Sequence, residues 1–129
     1  MKGKALVTVL CVTALAVVCT SALAKKGHVT VTVYNTTGKP VGEVPVYLRP
    51  AGSLEGFTNA SRTNNSGQAR FPNRHDRKPL DPNRLYEVWV FCDGEWYRGE
   101  DFMTDGDGGA QGQTVTVGGV PSPPPWPPK

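Results

Sequence analysis

The sequence predicts an all-β domain, in the form of a seven-stranded antiparallel Greek-key β-sandwich. Apolar and polar residues alternate through the middle of the chain, as they do in strands that bury one face. Stretches rich in Gly, Pro and Asn interrupt this alternation at short intervals, which is the spacing of turns in sandwich domains. The same region has almost none of the 3.6-residue period of amphipathic helices.

The first two predicted strands alternate most regularly. Residues 28–34 (HVTVTVY) place three valines on one face and threonines on the other. Residues 44–50 (VPVYLRP) place two valines and Leu48 on one face, after a turn that contains two glycines and a proline. Because Pro45 has no N–H to donate to a neighbour, the second strand is predicted to lie at a sheet edge or a bulge.

Three further strands are predicted from weaker patterns. Residues 56–63 (GFTNASRT) form a polar strand, and the turn NNSG leads to a strand at 68–72 (QARFP). A loop with two prolines follows, and residues 113–117 (QTVTV) close the domain after a Gly-rich acidic loop.

The clearest pair of strands is 84–92 and 95–102, joined by Asp93-Gly94. An Asp-Gly pair favours a two-residue type I′ turn, which requires positive φ at both central residues. This turn sets a register in which Cys92 faces Glu95, Phe91 faces Trp96, Val90 faces Tyr97 and Trp89 faces Arg98. The inward face is then predicted to carry Tyr86, Val88, Val90, Cys92 and Tyr97, and the outward face Glu87, Trp89, Phe91, Trp96, Arg98 and Glu100.

In this order the elements resemble the carboxypeptidase regulatory-like domain of the transthyretin-like (prealbumin-like) β-sandwich superfamily. The resemblance covers about residues 28–117 and rests on a Gly-x-Pro turn, an alternating second strand, a Gly before a short aromatic strand, and a Tyr-x-Val strand. The matching residues are Gly38, Pro40, Val44, Val46, Leu48, Gly67, Phe71, Tyr86, Val88 and Val90. The resemblance implies a domain that braces a neighbour or binds proteins and glycans.

Both ends of the chain differ in composition from this domain. Residues 1–24 combine two lysines, an apolar run and small residues before Ala24, which predicts a signal peptide cleaved after Ala24 and a secreted or periplasmic protein. The alternative is an uncleaved N-terminal anchor. The mature domain is predicted at 25–117, and a Pro-rich disordered tail at 118–129. This tail is interpreted as a passive spacer, or else as a docking peptide or a stalk against the cell envelope with Trp126 as its anchor.

Charge and cysteine content narrow the classes of partner. Of 14 Lys and Arg, Lys2 and Lys4 leave with the signal peptide, so 12 remain against 11 Asp and Glu. A net charge of +1 argues against a nucleic-acid partner, which requires a clustered basic surface. The mature chain keeps one cysteine, Cys92, so it has no intramolecular disulfide. Cys92 is interpreted as a small buried hydrophobe or as one half of an intermolecular disulfide.

No catalytic residue and no cofactor are predicted. The hydroxyisourate hydrolases of the transthyretin-like fold are a third hypothesis, but His28 lies upstream of their histidine position and the YRGE at 97–100 is internal. The Gly-rich loop leaves open a loose calcium site of Asp101, Asp105 and Asp107, although the EF-hand pattern fails. The basic run RHDRK at 74–78, together with Arg84, is interpreted as a solvated loop or as a contact for an anionic glycan or lipid head group.

The candidate ligand-binding residues are Trp89, Phe91, Trp96 and Arg98. An outward apolar patch with a charged rim is typical of interaction sites. The alternatives are that the tail or a loop covers this patch, or that the faces are reversed. The function predicted is a non-enzymatic binding or structural module with a protein or carbohydrate partner. The second hypothesis is an accessory subunit of a cell-surface or envelope assembly. The sequons at Asn35, Asn59 and Asn64 bear on function only in a eukaryotic host.

The predicted signal-peptide cleavage site can be tested directly. Protein secreted by its native host is expected to begin at Lys25, because small residues precede the Ala24–Lys25 bond as signal peptidase requires. Intact-mass measurement of the secreted protein reads the N-terminus directly. A secreted chain that still begins at Met1 contradicts the prediction.

Overall fold

The computed structural model describes residues 27–54, 56–75 and 77–124. The proposed signal peptide and Trp126 of the tail lie outside the described residues. Within the described part the chain is all-β, with eight strands and no helix. The strands are β1 Val29–Tyr34, β2 Pro45–Pro50, β3 Asn59–Arg62, β4 Gln68–Phe71, β5 Leu85–Cys92, β6 Glu95–Arg98, β7 Phe102–Met103 and β8 Gln113–Thr116.

The strands form two sheets that share one core. One sheet has the order β4-β1-β8, and the other has the order β3-β2-β5-β6, with β7 also paired to β5. The core takes apolar side chains from both sheets, which is a β-sandwich-like arrangement. Every strand pair is antiparallel except β1 and β8, which are parallel. The prediction of a wholly antiparallel fold is therefore wrong for this pair, whose members are separated by the six other strands and so have the long crossover that parallel pairing needs.

The alternation seen in the sequence produces this core. Val29, Val31 and Val33 of β1 are buried, and Val46 and Leu48 of β2 face them from the other sheet. Each large apolar side chain that is fully buried contributes roughly 1.5–3 kcal/mol. With Cys92 a free thiol, no disulfide supports the described part of the chain, and packing of these side chains carries its stability.

Two details of strand placement differ from the prediction. The segment 95–102 divides into β6 and β7 at Gly99, so there are eight strands where seven were expected. A Cβ at Gly99 would lie 2.7 Å from Val115 Cγ2 and 2.9 Å from Val88 Cγ1, so only glycine permits this close packing. β2 is not an edge strand, since β3 and β5 flank it. Pro45 is accommodated because it is the first residue of β2 and pairing with β5 begins only at Val46.

The core placement of Val46 predicts a large effect of charge at that position. Val46→Asp is expected to cost at least about 4 kcal/mol, enough to unfold most domains of this size, because it buries an unpaired carboxylate. Thr114→Asp is the matched control, since Thr114 is an exposed strand residue. Thermal melts followed by circular dichroism compare the two. A cooperative melt of the Val46 variant near that of the parent chain would contradict the placement of β2.

Candidate functional site

The β5–β6 hairpin has the predicted register. Trp89 pairs with Arg98, Val90 with Tyr97, Phe91 with Trp96 and Cys92 with Glu95. Asp93 and Gly94 have φ values of 51° and 80°, as a type I′ turn requires. The predicted inward face is confirmed, because its tyrosines and valines are buried in the core and Cys92 packs against it. The candidate residues therefore share the outer face of the five-stranded sheet.

Trp96 lies at the centre of a group of five aromatic rings on this face. Its ring centroid is 4.9 Å from that of Phe91, 5.5 Å from Phe57, 5.6 Å from Tyr47 and 6.3 Å from Trp89. Tyr47 and Phe57 are themselves stacked, 4.7 Å apart. We call Tyr47, Phe57, Trp89, Phe91 and Trp96 the aromatic cluster.

Sequence reasoning missed two members of the aromatic cluster. Tyr47 occupies the outward phase of β2 and pairs with Trp89 across β2 and β5. The alternation in β2 contained this information, but the pairing partner of β2 was not assigned. Phe57 was placed in the predicted strand 56–63, but it lies in the loop before β3, which begins only at Asn59.

Trp89 corrects the prediction of an exposed aromatic face. Its side chain lies on the outer face, yet only 4% of the residue is exposed. Its indole Nε1–H donates to Glu87 Oε1 at 3.0 Å, Trp96 meets it edge-on, and the Arg98 guanidinium carbon is 5.4 Å from its ring centroid. The exposed part of the cluster consists of Phe91, at 36% exposure, and the half-buried Tyr47, Phe57 and Trp96.

A buried carboxylate stabilises the middle of this face. Glu87 is 3.1 Å from Arg49 Nε and 3.8 Å from Arg98 Nη2, in addition to accepting the Trp89 indole N–H. Charges in the interior require such partners, because an unpaired buried charge is costly. Arg98 also donates to Asp101 Oδ1 at 2.8 Å, and this hydrogen bond raises the pKa of the Arg98 guanidinium. Arg98 is therefore fixed at the rim of the aromatic cluster as a permanent cation.

The apolar surface continues at the other end of the same strand. Leu85 shares the outward phase of β5 with Glu87 and Trp89, and it pairs with Met103 of β7. Leu85 is 39% exposed and Met103 is 57% exposed. The outer face thus has exposed apolar side chains at both ends and a paired charge network between them.

The start of the proposed tail touches this sheet. The Ser122 N–H donates to the carbonyl oxygen of Trp96 at 2.8 Å, on the edge strand β6. Ser122 can do so because it retains the backbone donor that the prolines around it lack. The tail passes the aromatic cluster at this point, and the residues from Pro125 onwards lie outside the described part.

In the described residues, the acidic side chains form no metal site and the Cys92 thiol has no activating environment. Asp101 is paired with Arg98, and Asp105 Oδ1 accepts the N–H groups of Asp107 and Gly109 within its own loop. No group of three or more His, Cys, Asp or Glu side chains in the described part is arranged to hold a metal ion, so the calcium hypothesis lacks a ligand cluster. Burial, followed by the Asp93 charge and hydrogen bond, raises the pKa of the Cys92 thiol and disfavours the reactive thiolate.

Comparison of the sequence with protein-family models finds no matching family, and comparison with the curated proteins finds no relative. The resemblance to the carboxypeptidase regulatory-like domain therefore stays a prediction. In the described part of the chain, no helix has the length and apolar character needed to cross a membrane.

The unequal burial of the two outer-face aromatics predicts unequal costs of truncation. Trp89→Ala is expected to lose roughly 3–5 kcal/mol, as large-to-small changes at buried positions do. Phe91→Ala is expected to lose about 1 kcal/mol, since part of its ring already contacts water. Urea denaturation measures both free energies of unfolding. Equal losses, or a neutral Trp89→Ala, would contradict the buried position of Trp89.

Proposed function

We propose that this chain is a secreted or periplasmic, non-enzymatic binding module that binds a protein partner through the outer face of its five-stranded sheet. The observation that carries the proposal is the extent of apolar surface there, from Phe91 at one end to Leu85 and Met103 at the other. Exposed apolar patches with polar rims are typical of interaction surfaces on soluble proteins. The Arg98–Asp101 pair supplies such a rim.

The geometry of the aromatic cluster favours a protein over a carbohydrate on this face. Trp96 is tilted by 54° to Phe91 and by 35° to Phe57, and Tyr47 stacks on Phe57. Rings packed against each other in this way do not present coplanar open faces for a sugar to stack on. Aromatic, Met and Arg side chains are enriched at protein interfaces, and Met103 has the conformational freedom to fit an irregular partner.

The proposed architecture is a transthyretin-like Greek-key sandwich. It is supported by two sheets around one core and by the turn after β1, where Tyr34 forms an isolated bridge with Pro40. Asn35 Oδ1 accepts the N–H groups of Thr37 and Lys39 and so closes the same turn. These contacts explain why the Gly-x-Pro segment of the resemblance forms a tight turn here.

A second candidate is an accessory subunit of a cell-surface or envelope assembly. The contact from Ser122 to the Trp96 carbonyl favours it, because this contact brings the Pro-rich tail to the edge of the proposed binding face. A partner would then meet the tail and the apolar face together. The third hypothesis, a hydrolase, has no comparable support, since Tyr97 is buried in the core and Arg98 is paired with Asp101.

The binding face is tested with charge substitutions at its two exposed ends. The mature chain, residues 25–129, is immobilised and exposed to envelope extract from the native host. The parent chain is expected to retain a discrete protein, which is then purified for titration. Phe91→Asp and Met103→Asp are each expected to weaken its binding at least about tenfold, because each places a charge against apolar partner surface.

Leu54→Asp is the matched control, because Leu54 is fully exposed in a loop and changes in the same chemical way. Melting temperatures verify that all three variants are folded. Retention that survives both face substitutions, or that is lost equally in the control, would overturn the proposal.

A further inference from the structure

A second surface lies beside the aromatic cluster, at the edge of the sandwich where β3 approaches β4. It is an open groove of about 1220 Å³ between the strands β3 and β4, the start of β1 and the loop after β4. Its lining includes four arginines and two histidines, and none of the described residues that line it is Asp or Glu. We call this the basic groove and define it by Arg62, Arg70, Arg74, Arg77, His28 and His75.

One wall of the basic groove is a loop shaped by Asn73. The Asn73 side-chain amide donates to the carbonyl oxygen of Ala60 at 2.5 Å, which ties the loop to β3. Asn73 Oδ1 accepts the His75 N–H at 2.7 Å, and the Asn73 carbonyl accepts the Arg77 N–H at 3.1 Å. Asn73 therefore ties the start of the loop to β3 and also binds the backbone N–H groups of His75 and Arg77.

The opposite wall is made by strands. Arg70 of β4 pairs with Thr30 of β1, and His28 lies two residues before Thr30, on the same outward phase. Arg62 ends β3 and donates to the Glu43 carbonyl oxygen, a neutral acceptor, at 2.8 Å. The pairing of β1 with β4 and the end of β3 thus bring residues that are distant in sequence to the same groove.

Among the described residues, which do not include Asp76 of this loop, no ion pair neutralises an arginine of the groove. The ion pairs of the described residues involve Arg49, Arg84 and Arg98 instead. His28 Nδ1 is buried and has no hydrogen-bond partner in the described part of the chain. Arginines that line one groove repel one another, so an anion bound between them gains favourable electrostatic energy.

The shape and chemistry of the groove indicate the class of ligand. Guanidinium groups donate forked hydrogen bonds that match sulfate and carboxylate oxygens. The Asn64 and Gln68 side chains that also line the groove can donate to and accept from hydroxyl groups. The volume exceeds the roughly 300–1,000 Å³ of ordinary small-ligand pockets and suits an extended chain of several sugar rings. We propose that the basic groove binds an anionic oligosaccharide that carries sulfate or carboxylate groups.

An oligosaccharide fits better than a nucleic acid. Proteins that bind single strands stack bases on aromatic side chains along a positive groove. Tyr47 is the only Phe, Tyr or Trp among the described lining residues, and its ring is stacked on Phe57. The groove therefore offers charge and polar hydrogen bonding without a series of stacking platforms. This site is separate from the proposed protein-binding face, although the two adjoin at Tyr47.

Calorimetric titration of residues 25–129 with a heparin-derived sulfated hexasaccharide tests the site. The parent chain is expected to bind it and to show no binding of neutral cellohexaose. Arg70→Ala and Arg74→Ala, one from each wall, are each expected to weaken binding about tenfold, since each removes a charge-assisted hydrogen bond. Lys39→Ala is the matched control: it removes the same charge from an exposed turn outside the groove and is expected to change affinity less than about twofold.

Three results would overturn the proposal: no binding of the sulfated hexasaccharide by the parent chain, an equal loss in the Lys39 control, or tighter binding of a twelve-nucleotide oligothymidylate. The Phe91→Asp and Met103→Asp variants are expected to bind the hexasaccharide with the affinity of the parent chain. A failure of the basic groove is thereby distinguished from a failure of the protein-binding face.

Discussion

The register of the β5–β6 hairpin determines which side chains reach the core and which reach the outer face. Two residues, Asp93 and Gly94, set this register through their positive φ angles. If β6 slipped by one residue against β5, its side chains would exchange faces, because side chains alternate along a strand. Tyr97 would then leave the core and Arg98 would enter it.

The outer face of β5 contains a smaller packed unit of its own. Glu87 and Trp89 are both buried there, and a hydrogen bond joins them. Arg49 from β2 and Arg98 from β6 supply the positive charge that a buried carboxylate requires. Since these partners come from the two neighbouring strands, the network ties the three strands together on the side opposite the core. Trp89 joins this network to the aromatic cluster, because it donates to Glu87 and meets Trp96 edge-on.

Several features of the fold and site could be predicted from the sequence. Others could not, for different physical reasons. Alternation predicted the strands, and the Asp-Gly turn predicted the β5–β6 register, because both are local properties of the chain. The parallel pairing of β1 and β8 was not predictable, since no local pattern encodes which distant strands meet. Burial of Trp89 depends on its packing against Trp96 and Arg98. It also depends on Glu87, whose buried carboxylate is paired with Arg49 from another strand. Of the basic groove, the sequence indicated only the loop at 74–78. Arg62 and Arg70 come from β3 and β4, and only the folded arrangement brings them to the same groove.

Both proposed surfaces use side chains that lie outside the core. The core is formed by inward side chains, and no disulfide supplements it in the described part of the chain, so its residues have little freedom to change. Phe91, Met103, Arg70 and Arg74 lie outside the core, and the ion pairs of the described residues use neither of these two arginines. Substitutions at exposed polar positions usually change the free energy of unfolding by no more than about 0.5 kcal/mol. Recognition can therefore vary at either surface while the fold is conserved. Trp89 is the exception among the candidate residues, because it belongs to the outer face by position and to the packed structure by burial.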